Sequence, residues 1–262
     1  MGADKVELSR EGRTIVVRKG NAVLRPVAPW TETVHALLRH LEAVGFAGSP
    51  RVIGDGYDHE GNETVGYISG RSVHPHAWSD SGITGVGEVL REFHHAASSF
   101  EPREPAIWQP WYFRSTARDA IIGHCDTGPW NIVARDGLPV AFVDWEYAGP
   151  TSRWDDVAQA AWLNAQLHDD DIAERQGLPG IDTRARQLRY FLDGYRLSKR
   201  DRNGFVNRII DYAIRDSAKE AIESSVTPDS TDAAPLWAIA WRARSASWMI
   251  RHRTLLQRAV DT

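Results

Sequence analysis

Apolar positions come in short runs near the start of the chain and at helical spacing further on. Thr14-Ile15-Val16-Val17-Arg18 is β-branched and apolar, Lys19-Gly20-Asn21 is a turn, and Ala22-Val23-Leu24-Arg25 is a second strand ended by Pro26. Val34, Leu37, Leu38 and Leu41 then fall at i, i+3, i+4, i+7. That spacing predicts a helix capped by Thr31 or Thr33 and ended by Gly45 and Pro50. Val52-Ile53-Gly54 and residues 63–68 predict two more strands, with a turn over 58–62. Beyond residue 70 the period changes. Val86, Val89, Leu90 and Phe93 mark one helix, and residues 101–120 read as an irregular, Pro-broken connection containing Trp108 and Trp111. Further helices are predicted over roughly 155–168, 182–197, 203–223 and 234–259.

Between these helical stretches lies the most informative segment. Ile132-Val133-Ala134 and Val140-Ala141-Phe142-Val143 flank Asp136-Gly137, which predicts a β-hairpin. Just before it stands His124-Cys125-Asp126-Thr127-Gly128-Pro129-Trp130-Asn131, which fits H-x-D-x-x-x-x-N. Just after it comes Val143-Asp144-Trp145-Glu146. Phosphoryl transfer asks a protein for a carboxylate that orients and deprotonates a hydroxyl, and for an Asn and an Asp that hold Mg²⁺ on the phosphates. Gly128 and Pro129 suit a chain reversal between Asp126 and Asn131, and the hairpin would return Asp144 to the side of Asn131. Two hard oxygen ligands at one point suit Mg²⁺. Either element alone is weak; the ordered set of His, Asp, Asn, hairpin and Asp is specific.

These motifs resemble the aminoglycoside phosphotransferase family and its choline-kinase and thiamine-kinase-like relatives, which carry H-G-D-x-x-x-x-N and then I-D-W/F-E/D. Arg153-Trp154-Asp155-Asp156-Val157-Ala158 resembles the D-L-A segment that follows. The resemblance covers most of residues 14–165. It implies an α+β, two-lobed protein-kinase-like fold. The N-lobe, residues 1–70, would be a small antiparallel sheet with one helix, and the C-lobe, residues 71–262, would be larger and mainly helical. It implies Asp126 as catalytic base, Asn131 and Asp144 as Mg²⁺ ligands, His124 as a structural pin and Asp156 as a brace behind the loop. Glu146 is a candidate contact to substrate or to a metal-bound water. The hinge would be Tyr67-Ile68-Ser69-Gly70, with Arg25, Tyr67 and Ile68 on the nucleotide. The co-substrate would be ATP or GTP, and the acceptor a small hydroxyl compound, cationic ones included. His94 fits a family histidine; metal binding by the His-dense stretches His74-Pro75-His76 and His94-His95 is the sharper alternative.

The chain also departs from the family. The first turn, Ser9-Arg10-Glu11-Gly12-Arg13, has no G-x-G-x-x-G; Arg25 stands at the strand-Lys position; the helix Glu would fall near Val34, with Glu32 the nearest carboxylate. Arg is no neutral swap for Lys, although its fork can reach phosphate. The family Gly after His is Cys125. Those departures keep a second reading open, a pseudokinase-like binding protein. The intact Asp126, Asn131 and Asp144 speak against it. Only residues 145–154 separate Asp144 from Asp155-Asp156, which leaves no room for a protein kinase's activation loop.

Composition adds limits. Net charge of −4 gives no support to nucleic-acid binding, a role that would rest only on the C-terminal arginines. One Cys excludes an internal disulfide and a multi-Cys zinc site and fits a reducing compartment. No run of 18 apolar residues occurs, and Met1-Gly2-Ala3-Asp4-Lys5 lacks the apolar core of a signal peptide, so a cytoplasmic protein without membrane spans is expected. His168-Asp169-Asp170-Asp171 reads as a helix start in preference to a polycation site. Trp237, Trp241 and Trp248 read as core packing in preference to a substrate wall.

Overall fold

The computed structural model describes residues 5–8 and 15–262. Its N-terminal part is a five-stranded antiparallel sheet in the order β1-β2-β3-β5-β4. The strands are β1 (Lys5–Glu7), β2 (Val17–Lys19), β3 (Ala22–Arg25), β4 (Val52–Tyr57) and β5 (Glu63–Gly66), with α1 (Thr31–Ala43) between β3 and β4. The predicted turn at Gly20 takes a positive φ of 61°. The stripe of α1 is real: Val34, Leu37, Leu38 and Leu41 are all fully or nearly fully buried. Its cap differs from expectation. Trp30 occupies the cap without a side-chain bond, and the Thr31 hydroxyl accepts from the Ala28 N–H instead. β4 runs past Gly54 because its pairing with β5, broken by a bulge after Val52, resumes at Tyr57 opposite Glu63. The turn over Ser9–Arg13 lies outside the described residues.

The rest is α2 (Asp80–Ala97), β6 (Ile121–Gly123), β7 (Ile132–Arg135), β8 (Leu138–Phe142), β9 (Gly149–Thr151), α3 (Arg153–Asn164), α4 (Asp170–Gln176), α5 (Ile181–Gly194), α6 (Lys199–Arg202), α7 (Phe205–Glu223), α8 (Ala233–Arg251) and α9 (Arg253–Asp261). β7 and β8 form the hairpin, with Asp136 and Gly137 both at positive φ, as a two-residue turn of this twist requires. β6 pairs with β9. α2 and α5 approach closely through two glycines. A Cβ on Gly87 would strike the Phe191 carbonyl, and one on Gly194 would strike that of Thr84.

The predicted 234–259 helix is two helices, because His252 leaves helical backbone (φ −103°, ψ 11°) and lets α9 bury Leu256 and Val260. α4 and α6 are additional short helices. The architecture is α+β with a small antiparallel sheet and a larger helical part, and no helix among the described residues is long and apolar enough to cross a membrane.

Candidate active site

The loop after β6 is shaped by its backbone before its side chains matter. Cys125 sits at φ 66°, in the left-handed region that favours glycine, which is the residue the resembling family places there. Asp156, in the first turn of α3, holds it: its carboxylate accepts from the Cys125 N–H at 2.8 Å and the His124 N–H at 3.4 Å. His94 Nε2 donates to the same carboxylate at 2.8 Å while Nδ1 meets the Tyr195 hydroxyl at 2.8 Å. Burial alone would raise the Asp156 pKa, but the bond from His94 and those from the loop leave it below the usual carboxylate value.

His124 is fully buried. Its Nε2–H donates to the Val143 carbonyl at 3.1 Å and its Nδ1 accepts from the Asp126 N–H at 3.4 Å. It ties the loop to the segment that follows the hairpin.

The two motif residues meet. Asn131 Nδ2 donates to Asp126 Oδ2 at 2.8 Å and to the Asp126 carbonyl at 3.0 Å. Both amide donors go to Asp126, so the amide oxygen is turned away from it. The Val143 N–H donates to the Asn131 carbonyl at 2.9 Å, which places Asp144 one residue beyond that pairing. Asp144 takes a left-handed backbone, φ 63° and ψ 65°, which Asp tolerates better than most residues. Among the described residues no three His, Cys, Asp or Glu side chains form a metal cage. The donors at hand are hard oxygens of Asn131 and Asp144, a set that fits Mg²⁺, which takes its other ligands from phosphate and water.

The cation of the site is rebuilt. Arg25 Nε donates to Glu63 Oε2 at 2.6 Å and Nη2 to Oε1 at 3.2 Å. The strand register sets this pair, because Arg25 and Glu63 are direct partners across β3 and β5. α1 supplies His35, whose Nε2 meets Glu63 Oε1 at 3.2 Å, where the family would supply a glutamate near Val34. Glu32 does not take that part. Burial would lift the Glu63 pKa; His35 and Arg25 outweigh it and hold the carboxyl below its usual value. Arg25 Nη1 also reaches Asp144 Oδ1 at 3.1 Å and comes to 3.9 Å of Glu146 Oε2.

Arg25, Tyr67, Ile68, Asp126, Asn131, Asp144 and Glu146 all line one cleft of about 1390 Å³. His124 and Asp156 lie behind its surface. Three further residues hold the loop and carry no motif. Gln159 accepts from Thr127 N–H at 3.0 Å and donates to the Cys125 carbonyl at 3.1 Å. Asn164 donates to the Thr127 carbonyl at 2.8 Å. Arg114 donates to the Tyr147 carbonyl at 2.8 Å and approaches Cys125 Sγ at 3.6 Å. The available signal for the first two is polarity inside a helix whose neighbours are Val157, Ala158, Ala160, Ala161, Trp162 and Leu163. Burial pushes the Cys125 thiol well above its usual pKa, so it is a neutral packing group.

The acidic stretch is structural. Asp169 caps α4 and binds Arg244 at 2.8 Å, and Asp170 accepts from Trp248 Nε1 at 2.7 Å. Trp248 is core, whereas Trp237 and Trp241 line the cleft, so the packing expectation covers only part of that trio.

Burial also pushes His124 from 6.5 to about 4 and His168 from 6.5 to about 3. Between those values and 6.5 the unfolded chain binds protons that the folded chain refuses. Stability is therefore expected to be full above pH 6.5 and to fall as pH drops toward 4, with each histidine costing about 1.4 kcal/mol for every pH unit over which only the unfolded chain is protonated. Urea midpoints at pH 7.5 and 5 check this, and equal midpoints would refute it.

No protein-family model matches the chain. It is 53% identical over 258 residues, 98% of this chain and 99% of the relative, to the trifolitoxin immunity protein of Rhizobium leguminosarum bv. trifolii. A choline/ethanolamine kinase family protein from Mesorhizobium loti superposes with a TM-score of 0.60 at 16% identity, covering 98% of this chain and 92% of that one. Amicoumacin kinase, solved with AMP-PNP, Ca²⁺ and Ami, superposes with a TM-score of 0.64 at 14% identity, covering 93% and 88%. Aminoglycoside phosphotransferases share the fold too. At such identities the likeness is one of fold: that of protein-kinase-like small-molecule phosphotransferases.

Proposed function

We propose, because the chain belongs to the family of the trifolitoxin immunity protein and folds as a small-molecule kinase, that it is a Mg²⁺-dependent phosphotransferase that protects against a toxin by phosphorylating it. The observation that carries this reading is the Asp126–Asn131 contact with Asp144 beside it in a single cleft. A sequestering protein has no need of that arrangement. In this reading residues 1–70 cover the nucleotide, with Tyr67 and Ile68 at its base edge, and residues 71–262 carry the loop and the acceptor.

The acceptor hydroxyl oxygen bonds to the γ-phosphorus of ATP or GTP, the bond from that phosphorus to the bridging oxygen breaks, and the nucleoside diphosphate leaves. Asp126 orients the hydroxyl and receives its proton; Asn131 holds Asp126 in place. Arg25, its Nε and Nη2 held by Glu63, would reach the phosphates through Nη1, which here meets Asp144. Asn131 and Asp144 would hold Mg²⁺, which would supply charge neutralisation on the phosphates.

Calorimetric titration with Mg-ATP and Mg-GTP tests this without knowledge of the acceptor. Saturable binding of at least one nucleotide is expected. Asp144→Ala should weaken it by about tenfold or more, as loss of a charge-assisted ligand does. A protein that binds neither nucleotide is not a kinase. One observation favours a second reading, immunity by sequestration: Arg25 is already engaged by Asp144 and lies close to Glu146.

A further inference from the structure

The cleft extends past Asp126 to a far end walled by α7 and α8. α7 contributes Asp216, Glu220 and Glu223 to it, a set that resembles a cation trap until their partners are considered. Arg242 binds Asp216 at 2.5 Å and Glu220 at 3.1 Å. Lys219 lies 3.7 Å from Asp216 and 3.5 Å from Glu223. Each of the three carboxylates thus has a cation of the wall within 4 Å, two cations being shared among the three. The two cations are largely shielded, Lys219 at 15% and Arg242 at 17% side-chain exposure. An incoming ammonium would have to displace a partly desolvated pair, which is costly.

The same end presents indole surface. Trp237 is 48% exposed, unusual for the largest side chain, and Trp241 is fixed by stacking on Trp162 with centroids 5.0 Å apart. Tyr147 lines the same cleft. Its phenol is pushed up to about 12 by burial and by Glu146, Glu223, Asp126 and Asp144, so it offers a neutral hydroxyl.

We propose that this far end, taken as the acceptor side of the phosphotransfer site argued above, accepts a hydroxyl compound with a flat apolar face and excludes polycations. Its role as acceptor side rests on that reading, but its charge selectivity stands on the wall alone.

The first test is calorimetric titration of neomycin, a polycationic aminoglycoside, into the full chain at low ionic strength without nucleotide. No saturable binding to the wild type is expected. Lys219→Met, which uncovers Glu223 and one side of Asp216, is expected to gain saturable, salt-sensitive binding. Binding of neomycin to the wild type, or none to Lys219→Met, overturns the charge argument.

The second test is direct binding of trifolitoxin. Trp237→Ala should weaken it by up to about tenfold and Trp237→Phe should restore it. Equal affinity in wild type and Trp237→Ala overturns the flat-face assignment. No binding to the wild type, alongside intact Mg-nucleotide binding, overturns the toxin reading and that assignment together, and leaves the neomycin result to decide the charge selectivity.

Discussion

Asp126→Asn is expected to lower phosphoryl transfer by about 10²–10⁴-fold, the usual worth of a positioned general base. The change is nearly isosteric. An amide oxygen can still accept the 2.8 Å bond from Asn131, so the loop geometry should persist and Mg-nucleotide affinity should stay within about threefold. What disappears is the carboxylate proposed to take the hydroxyl proton. Initial rates with the acceptor proposed above, together with calorimetry, separate the two effects. Transfer within tenfold of wild type would remove Asp126 from the role of base. A cell-based protection assay then distinguishes chemistry from capture. If Asp126→Asn still protects fully, immunity is sequestration and the kinase fold serves only as a receptor.

Asp156→Ala should have the largest effect on stability. The carboxylate is fully buried and receives His94 and the N–H groups of His124 and Cys125. Removing it strands those donors in the interior and leaves a left-handed Cys125 without the bond that offsets its backbone cost. About 3–5 kcal/mol of unfolding free energy is expected to go, as when one partner of a buried network is deleted. Urea unfolding measures it. The lowered pKa of this carboxyl adds a sign. Its contribution is present above the ordinary carboxylate range and is lost as pH falls through the folded value, so wild type and mutant should converge in acid. A loss under about 1 kcal/mol at neutral pH would show that the loop holds its shape without Asp156.

Much of the site is legible in the sequence because it is local. His124, Asp126 and Asn131 lie in one eight-residue loop, and an Asp-Gly turn with apolar flanks commits the following hairpin, so Asp144 returns next to Asn131 by chain geometry alone. The long-range partners are not legible. Glu63 meets Arg25 because β5 pairs with β3 in one register, and a shift of one residue would send Glu63 to the other face. Arg114 is one of many arginines, and nothing in its neighbours marks the carbonyls it gathers. The break at His252 is invisible for a related reason. Apolar periodicity continues through it, and α9 departs from the line of α8 to pack against α5 and α7.

The Arg25–Glu63–His35 arrangement has a consequence for control. Where the phosphate-binding cation is tethered to a carboxylate on a helix, swinging that helix outward slackens the tether, and the enzyme acquires an idle state. Here both ends of the tether lie on neighbouring strands of one sheet, and the helix meets it through His35. Displacing α1 would strip away an imidazole and leave the guanidinium where it is. The site has no clutch. On the function proposed above, a protein that had to meet a toxin whenever it arrived would lose nothing by being permanently engaged.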